Sequence, residues 1–172
     1  MTDREPFRLL FVCLGNICRS PTAEGVMRSL LAEAGLDGVV EVDSAGTAGW
    51  HVGDPPDERT VAEGWRRGLD LSGQRGRRLD RGDLVHFDLL IAMDETNRED
   101  LLALAPGPDE AAKVCLLREF DPAAVEAGEL DVPDPYYGGP SGFAHVYDVV
   151  EGACRGLLDH VRANLLGGHP RR

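Results

Sequence analysis

The sequence predicts an α/β fold: a single three-layer domain in which a four-stranded, mainly parallel sheet carries helices on both faces. Two observations lead to this prediction. Short apolar runs alternate along the chain with segments of helical periodicity, which is the order that builds parallel sheets. The 172 residues also contain neither an internal repeat nor a linker. We therefore expect one domain over residues 1–172, with its core at about 7–162 and short flexible tails.

The first strand and the first helix carry the strongest patterns. Phe7–Val12 is almost continuously apolar, as in a strand that is buried on both faces of a parallel sheet. Apolar residues then recur at helical spacing over residues 21–34. Ser20 is a suitable N-cap and Pro21 suits the first helical position, while Gly35 is expected to end the helix.

Three more strands and three more helices complete the predicted order. The strands are Val39–Asp43, Asp88–Met93 and Val114–Leu117. The helices follow the N-cap residues Asp57 and Asp94 and begin near Ser141. The helix after Asp57 is short and carries the apolar residues Val61, Ala62 and Trp65.

Three segments leave the carboxyl ends of predicted strands, where ligands bind in sheets of this kind. They are residues 13–20, residues 44–50 and residues 118–140. The last of these, here called the acidic segment, is predicted as one long loop that is rich in Pro and Gly near its end. A loop of that length in a compact domain is usually functional.

Composition excludes several functional classes. The net charge of −12 argues against affinity for nucleic acid or acidic membranes. No apolar run approaches the roughly 20 residues of a membrane helix, and the first residues lack the layout of a signal peptide. Four cysteines are too few for a disulfide scaffold. We therefore expect a cytoplasmic protein, in which any anionic ligand binds at a local positive site.

Residues 13–20, Cys-Leu-Gly-Asn-Ile-Cys-Arg-Ser, are here called the anion loop. Its backbone N–H groups and the helix behind it can surround a tetrahedral oxyanion, and Arg19 can add a bidentate fork. The same environment favours the thiolate form of Cys13, Gly15 allows a strained turn, and the Ser20 hydroxyl can hydrogen-bond the sulfur. The predicted phosphate-binding residues are Leu14, Gly15, Asn16, Ile17, Cys18, Arg19 and Ser20.

A thiol that attacks phosphorus also needs a proton donor for the leaving group. Composition leaves five candidates open in the acidic segment: Asp121, Glu126, Glu129, Asp131 and Asp134. Three aromatic residues on strand-end loops suit the walls of a pocket for a phenyl ring: Trp50, Tyr136 and Tyr137. His51 either contacts the substrate or lies on the surface.

Four motifs together resemble the low-molecular-weight protein tyrosine phosphatases over about residues 7–162. They are VCLGNICRSP (12–21), DSAGT (43–47), MDETN (93–97) and DPYYGG (134–139). The resemblance implies a phosphate-monoester hydrolase that acts through a cysteinyl-phosphate, with no metal and no cofactor. It implies that Cys13 is the nucleophile, that Arg19 binds the phosphoryl group and that Asp134 is the general acid and base.

The resemblance also implies partners and supporting residues. Asn16, Ser20 and Ser44 would hold the loop, and Cys18 would form a reversible disulfide with Cys13 that protects it from over-oxidation. The substrates would be phosphotyrosine proteins or small aryl phosphates, with phosphate and vanadate as competing oxyanions. In this family the tyrosine pair can itself be phosphorylated, so a tyrosine kinase acting on Tyr136 or Tyr137 is a further expected partner.

One position departs from the family pattern. Many relatives have a histidine in the segment that matches Ser72–Arg75, and this chain has Gln74, which can hydrogen-bond but carries no charge. Two other functions stay open on the same scaffold. An arsenate reductase needs resolving cysteines near the loop, whereas Cys115 and Cys154 are predicted in the core. A non-catalytic cysteine phosphoryl carrier needs no general acid.

Overall fold

The computed structural model describes residues 5–166, so residues 1–4 of the predicted tail at 1–6 and the predicted tail at 167–172 lie outside the described residues. Its centre is one four-stranded sheet in the order β2-β1-β3-β4. The strands are β1 (Phe7–Cys13), β2 (Val40–Gly46), β3 (Leu89–Ala92) and β4 (Val114–Leu116). All three pairings are parallel, which confirms the predicted α/β class and the number of strands.

Seven helices surround the described sheet, with a 3₁₀ turn at Leu117–Phe120. They are α1 (Arg19–Glu33), α2 (Glu58–Arg66), α3 (Arg81–His86), α4 (Glu95–Leu104), α5 (Pro108–Ala111), α6 (Pro122–Ala127) and α7 (Pro140–Leu166). Within residues 5–166, no helix is both long and apolar enough to cross a membrane.

Side chains alternate across β1 and divide the core into two layers. Leu9 and Phe11 belong to a cluster with the apolar faces of α1 and α7. Leu10 and Val12 belong to a second cluster with residues of α3 and α4 on the opposite face. Both faces of the sheet are therefore covered, as the continuous apolar run of β1 predicts.

Several predicted helix ends are confirmed. The Asp57 side chain accepts a hydrogen bond from the Arg59 backbone N–H at the start of α2. Asp94 accepts from the Asn97 backbone N–H in the same way at the start of α4. Gly35 follows α1 with φ of 71°, the left-handed conformation that glycine adopts at little cost.

The second strand is longer than predicted. Ser44–Gly46 was expected to begin a tight loop, but these residues continue β2 because they pair with Phe11–Cys13. As a result Ser44 lies in the sheet beside Phe11, two residues before the end of β1. In α2 the apolar residues Ala62 and Trp65 are exposed, and the buried residues are Thr60, Glu63 and Gly64.

The acidic segment is not one long loop. It begins with the 3₁₀ turn and continues into α6, so the irregular part is confined to residues 128–139. The local signals for α6 are ordinary ones: Asp121 caps it, Pro122 occupies its first turn, and Gly128 ends it with φ of 72°. Two further short helices, α3 and α5, were not predicted; α3 begins with a capping box between Asp80 and Asp83.

Candidate active site

The anion loop lies at the carboxyl edge of the sheet. Cys13 is the last residue of β1 and only 2% exposed, and α1 begins at Arg19. The Asn16 backbone N–H donates to Cys13 Sγ at 3.3 Å, so the loop folds back over the sulfur. Helix α1 therefore points its positive end at the space in front of the thiol.

Ser20 does not cap α1, contrary to the prediction. The helix begins two residues earlier than predicted, after Cys18, which makes no side-chain capping bond. The Ser20 hydroxyl instead lies 3.0 Å from Cys13 Sγ and accepts a hydrogen bond from Asn16 Nδ2 at 2.8 Å. Because the oxygen already accepts from Asn16, its hydrogen is available to the Cys13 sulfur.

Asn16 holds the loop from beneath through a buried network. Its Nδ2 also donates to Ser44 Oγ at 3.0 Å, and its Oδ1 accepts from the Arg77 backbone N–H at 3.0 Å. Asn16 has φ of 58°, a left-handed conformation that asparagine tolerates better than most residues. The predicted strain at Gly15 is absent; the positive φ belongs to Asn16 instead.

The network ends at a buried carboxylate that the sequence did not reveal. Ser44 Oγ donates to Glu24 Oε1 at 2.7 Å, and Arg28 pairs with the other Glu24 oxygen at 3.0 Å. Burial raises the pKa of the Glu24 carboxyl above its ordinary value, although Ser44 and Arg28 act in the opposite direction. A chain of hydrogen bonds therefore joins Glu24 to Cys13 through Ser44, Asn16 and Ser20.

Arg19 is buried and fixed by contacts from two other segments. It is 3% exposed, and its Nη1 donates to Asp94 Oδ2 at 2.6 Å and to the Val132 carbonyl at 3.1 Å. Burial lowers the pKa of the guanidinium, but Cys13, Asp94 and Asp134 outweigh burial and raise that pKa above its ordinary value. Arg19 is therefore a fixed positive charge beside the thiol.

Asp134, from the acidic segment, lies beside Arg19 in the candidate active site. Its Oδ2 lies 3.7 Å from Arg19 Nη2, and its Oδ1 accepts from the Tyr136 backbone N–H at 3.0 Å. Of the five candidate acids, Asp134 alone lines the cavity in front of Cys13. Two others have separate structural tasks: Asp121 caps α6, and Asp131 accepts from the Glu95 backbone N–H.

The cavity in front of Cys13 has a volume of about 190 Å³. Its lining comes from the anion loop, from the segment around Trp50 and from the acidic segment. It is lined by Cys13, Leu14, Gly15, Ile17, Cys18, Arg19, Trp50, His51, Asp134, Tyr136 and Tyr137. Trp50 is 72% exposed and Tyr137 is 93% exposed, so both rings stand at the mouth. Gly15 packs closely against His51, since a Cβ at Gly15 would lie 3.3 Å from the His51 ring.

Comparison with known proteins identifies the family. The family model of low molecular weight phosphotyrosine protein phosphatases matches residues 8–166. The chain belongs to this family. A low molecular weight protein-tyrosine-phosphatase of Streptomyces coelicolor is 48% identical over 161 residues, which make up 94% of this chain and 97% of the relative.

Two solved structures share the fold. YfkJ from Bacillus subtilis superposes with a TM-score of 0.87 at 37% identity, covering 95% of this chain and 99% of that one. Vibrio vulnificus Wzb, solved in complex with benzylphosphonate, superposes with a TM-score of 0.75 at 29% identity, covering 90% of this chain and 98% of that one.

Cys18, the expected redox partner in this phosphatase fold, lies in the same loop as Cys13 and lines the same cavity. Burial raises the pKa of the Cys18 thiol to about 12, so Cys18 is a neutral thiol at physiological pH. Cys115 and Cys154 do not line the cavity. Cys115 lies in β4 and Cys154 is fully buried on α7, in agreement with their predicted core positions.

Gln74, where many low-molecular-weight phosphatases have a histidine nearby, contacts the start of α1. Its Nε2 donates to the Pro21 carbonyl at 3.0 Å, while its buried Oε1 has no hydrogen-bond partner in the described part of the chain. The donor to Asn16 Oδ1 is the Arg77 backbone instead. Arg77 is itself held by Asp43 and Asp83.

Asp94 is the second functional contact that sequence reasoning missed. It was predicted only as the N-cap of α4, and it does accept from the Asn97 backbone N–H through Oδ1. Its other oxygen holds Arg19.

Among residues 5–166, no three His, Cys, Asp or Glu side chains are grouped so as to hold a metal ion; the absence of a cofactor stays a prediction.

Proposed function

We propose that this protein hydrolyses phosphotyrosine and other aryl phosphate monoesters through a cysteinyl-phosphate intermediate. One observation carries the proposal: the Cys13 thiol, the fixed Arg19 guanidinium and the Asp134 carboxyl line one cavity whose mouth is aromatic. The family model of phosphotyrosine phosphatases that matches the chain supports it. No metal or cofactor is expected in the reaction.

In the first step Cys13 attacks as the nucleophile. The sulfur–phosphorus bond forms while the bond from phosphorus to the phenolic oxygen breaks, and Asp134 donates its proton to that oxygen. Arg19 and the amides of the anion loop stabilise the charge on the three remaining phosphoryl oxygens. Since Asp94 and the Val132 carbonyl hold Nη1 of Arg19, the guanidinium needs little reorganisation to do so.

In the second step water attacks the phosphorus and the sulfur leaves. Asp134, now a carboxylate, removes a proton from the water as the oxygen–phosphorus bond forms. The departing Cys13 thiolate accepts a hydrogen bond from the Ser20 hydroxyl, which is already 3.0 Å away. Inorganic phosphate is released, and Asp134 has recovered the proton that it gave in the first step.

The pocket favours a flat aromatic group next to the phosphate. Trp50, Tyr136 and Tyr137 can contact the faces and edges of a phenyl ring. Wzb was solved with benzylphosphonate, which pairs a phosphonate with such a ring. Phosphate and vanadate are expected to compete for the anion loop, because they present the same tetrahedral or trigonal oxygens.

A redox role for Cys18 is part of the proposal. Peroxide would convert the Cys13 thiolate to a sulfenic acid, and the Cys18 thiol would then displace water to form a disulfide that an external thiol reduces. Burial of Cys18 keeps it protonated, so disulfide formation should accelerate as pH rises. Mass spectrometry of peroxide-treated protein should show a thiol-reversible loss of two hydrogens (~2 mass units), absent in Cys18→Ser.

Neither alternative function gains support. Arsenate reduction on this scaffold needs resolving thiols near Cys13, and the two candidates, Cys115 and Cys154, lie away from the cavity. A phosphoryl carrier needs no proton donor for a leaving group, whereas Asp134 lines the same cavity as Cys13.

Two finer expectations accompany the proposal. Tyr137 has the exposure that a tyrosine kinase requires, and Tyr136 beside it is less exposed. A cytoplasmic location remains the expectation from composition, which subcellular fractionation would test.

Hydrolysis of p-nitrophenyl phosphate in the presence of a chelator tests the proposal. Wild-type protein should be active, Cys13→Ser should be inactive, and Asp134→Ala should lose turnover while still binding phosphate. Full activity in Cys13→Ser would exclude the mechanism. Because Asp134→Ala should retain substrates, pull-down with that variant from lysate should identify the physiological phosphoprotein.

A further inference from the structure

Arg59, in the first turn of α2, joins two loops of the candidate active site without lining its cavity. Its Nε and Nη2 donate to the two oxygens of Asp57 at 3.0 and 2.9 Å. This bidentate pair fixes the plane of the guanidinium. Immobilising a side chain of this length costs conformational entropy, which these hydrogen bonds offset.

The first connection is to the anion loop. The Asp57 backbone N–H donates to the Ile17 carbonyl at 2.8 Å. Phe143, at the start of α7, packs with Ile17 and Cys18 in a small cluster, and the Arg59 guanidinium lies 4.5 Å from the Phe143 ring centre. Arg59 is therefore positioned by the same residues that position the anion loop.

The second connection is to the loop that carries Asp134. The guanidinium lies 5.5 Å from the centre of the Tyr136 ring, within the range of a cation–π contact. Its Nη1 donates to the Gly138 carbonyl at 3.4 Å. The Tyr136 backbone N–H in turn donates to Asp134 Oδ1, so Arg59 contacts the residue whose peptide orients the acid and a second residue two positions beyond it.

We propose that Arg59 is a positioning residue that holds the Asp134 loop at a fixed distance from the anion loop. The loop needs such a contact because Asp134, Tyr136 and Gly138 lie in an exposed segment without helix or strand. The planar fork of arginine can pair with Asp57 and stack on an aromatic ring at once, which lysine cannot do. This inference rests on the proposed function.

The test compares two esters that differ in their need for a proton donor. Phenyl phosphate expels a strongly basic phenoxide, with a conjugate-acid pKa of ~10 like that of tyrosine, whereas p-nitrophenyl phosphate expels a much weaker base. In Arg59→Ala, kcat/KM for phenyl phosphate should fall by about 10- to 100-fold, part of the usual contribution of a general acid. The loss with p-nitrophenyl phosphate should be several-fold smaller.

Three comparisons complete the design. Asp134→Ala should shift the ratio of the two kcat/KM values in the same direction and further, and Arg59→Lys should shift it as Arg59→Ala does. Arg66→Ala is the matched control, because Arg66 lies on the same helix, pairs with Glu63 and has a side chain that is 73% exposed; it should leave the ratio unchanged. Inhibition by inorganic phosphate should be the same in wild type and Arg59→Ala.

Two results with Arg59→Ala would overturn the proposal. One is an unchanged ratio of kcat/KM for the two esters, and the other is weaker inhibition by phosphate. Full recovery of the ratio in Arg59→Lys would do so as well, since it would show that charge alone suffices. Failure of the proposed function is a different result: the wild-type protein would then hydrolyse neither ester, or Cys13→Ser would remain active.

Discussion

Replacing Asn16 with alanine tests the network beneath the anion loop. The side chain makes three buried hydrogen bonds, to Ser20, Ser44 and the Arg77 backbone, at 2.8, 3.0 and 3.0 Å. At about 1 kcal/mol each, and with about 1 kcal/mol more for alanine at φ of 58°, the free energy of unfolding should fall by about 4 kcal/mol. For a chain of this size, that corresponds to a decrease of about 8–16 °C in Tm.

The same substitution should also reduce the activity of the molecules that remain folded. Without Asn16 the Ser20 hydroxyl loses the donor that orients it toward Cys13, and the loop amides lose their support. Displacements of about 1 Å in such a site cost on the order of 100-fold in rate, so kcat/KM for p-nitrophenyl phosphate should fall by about that factor at a temperature where the variant is folded.

Urea unfolding followed by circular dichroism, together with steady-state kinetics, measures both effects. Asn164→Ala is the matched control, because Asn164 lies on α7 and its side chain hydrogen-bonds the exposed His160. This substitution should change the unfolding free energy by less than about 0.5 kcal/mol. If Asn16→Ala loses no more stability than Asn164→Ala and remains fully active, the network is not what holds the loop.

Three other substitutions test separate parts of the account. The raised pKa of Glu24 means that the folded protein retains this proton to higher pH than the unfolded chain, so stability declines as pH rises from the ordinary value of 4.5 through the raised one; Glu24→Gln should flatten that decline in urea titrations, and an unaltered slope would contradict it. Ser20→Ala should slow release of the cysteinyl-phosphate, seen as a pre-steady-state burst of p-nitrophenol larger than that of the wild type; an unchanged burst and turnover would show that Ser20 does not assist the leaving sulfur. Trp50→Ala should raise KM for aryl phosphates by about three- to tenfold, about 1 kcal/mol of aromatic contact, with unfolding free energy unchanged; equal KM values would remove Trp50 from the pocket.

Local patterns were enough for most of the fold. Phe7–Val12 is apolar without alternation because both of its faces are covered, and that is visible in the sequence alone. The extension of β2 from Ser44 to Gly46 was missed because Ser44 and Gly46 are residue types that favour turns over strands. Their pairing with β1 depends on a partner about 30 residues away, which no local pattern reports.

In the candidate site, too, some residues could be inferred from the sequence and others could not. Cys13, Arg19 and Ser20 stand in one short segment, so their chemistry could be inferred together. Glu24 and Asp94 were missed because their roles depend on contacts with residues that are 20 and 75 positions away. A signal did exist for Asp94: it belongs to the MDETN motif at a strand end, the same edge of the sheet where Cys13 was predicted.

In the proposed mechanism Cys13 carries the phosphoryl group during turnover. Wild-type protein mixed with p-nitrophenyl phosphate and quenched in acid within the first turnover can be digested and examined by mass spectrometry. We expect one added phosphoryl group on the peptide that contains Cys13, lost on longer incubation and absent in Cys13→Ser. A phosphoryl group on any other residue, or product formation by Cys13→Ser at the wild-type rate, would contradict it.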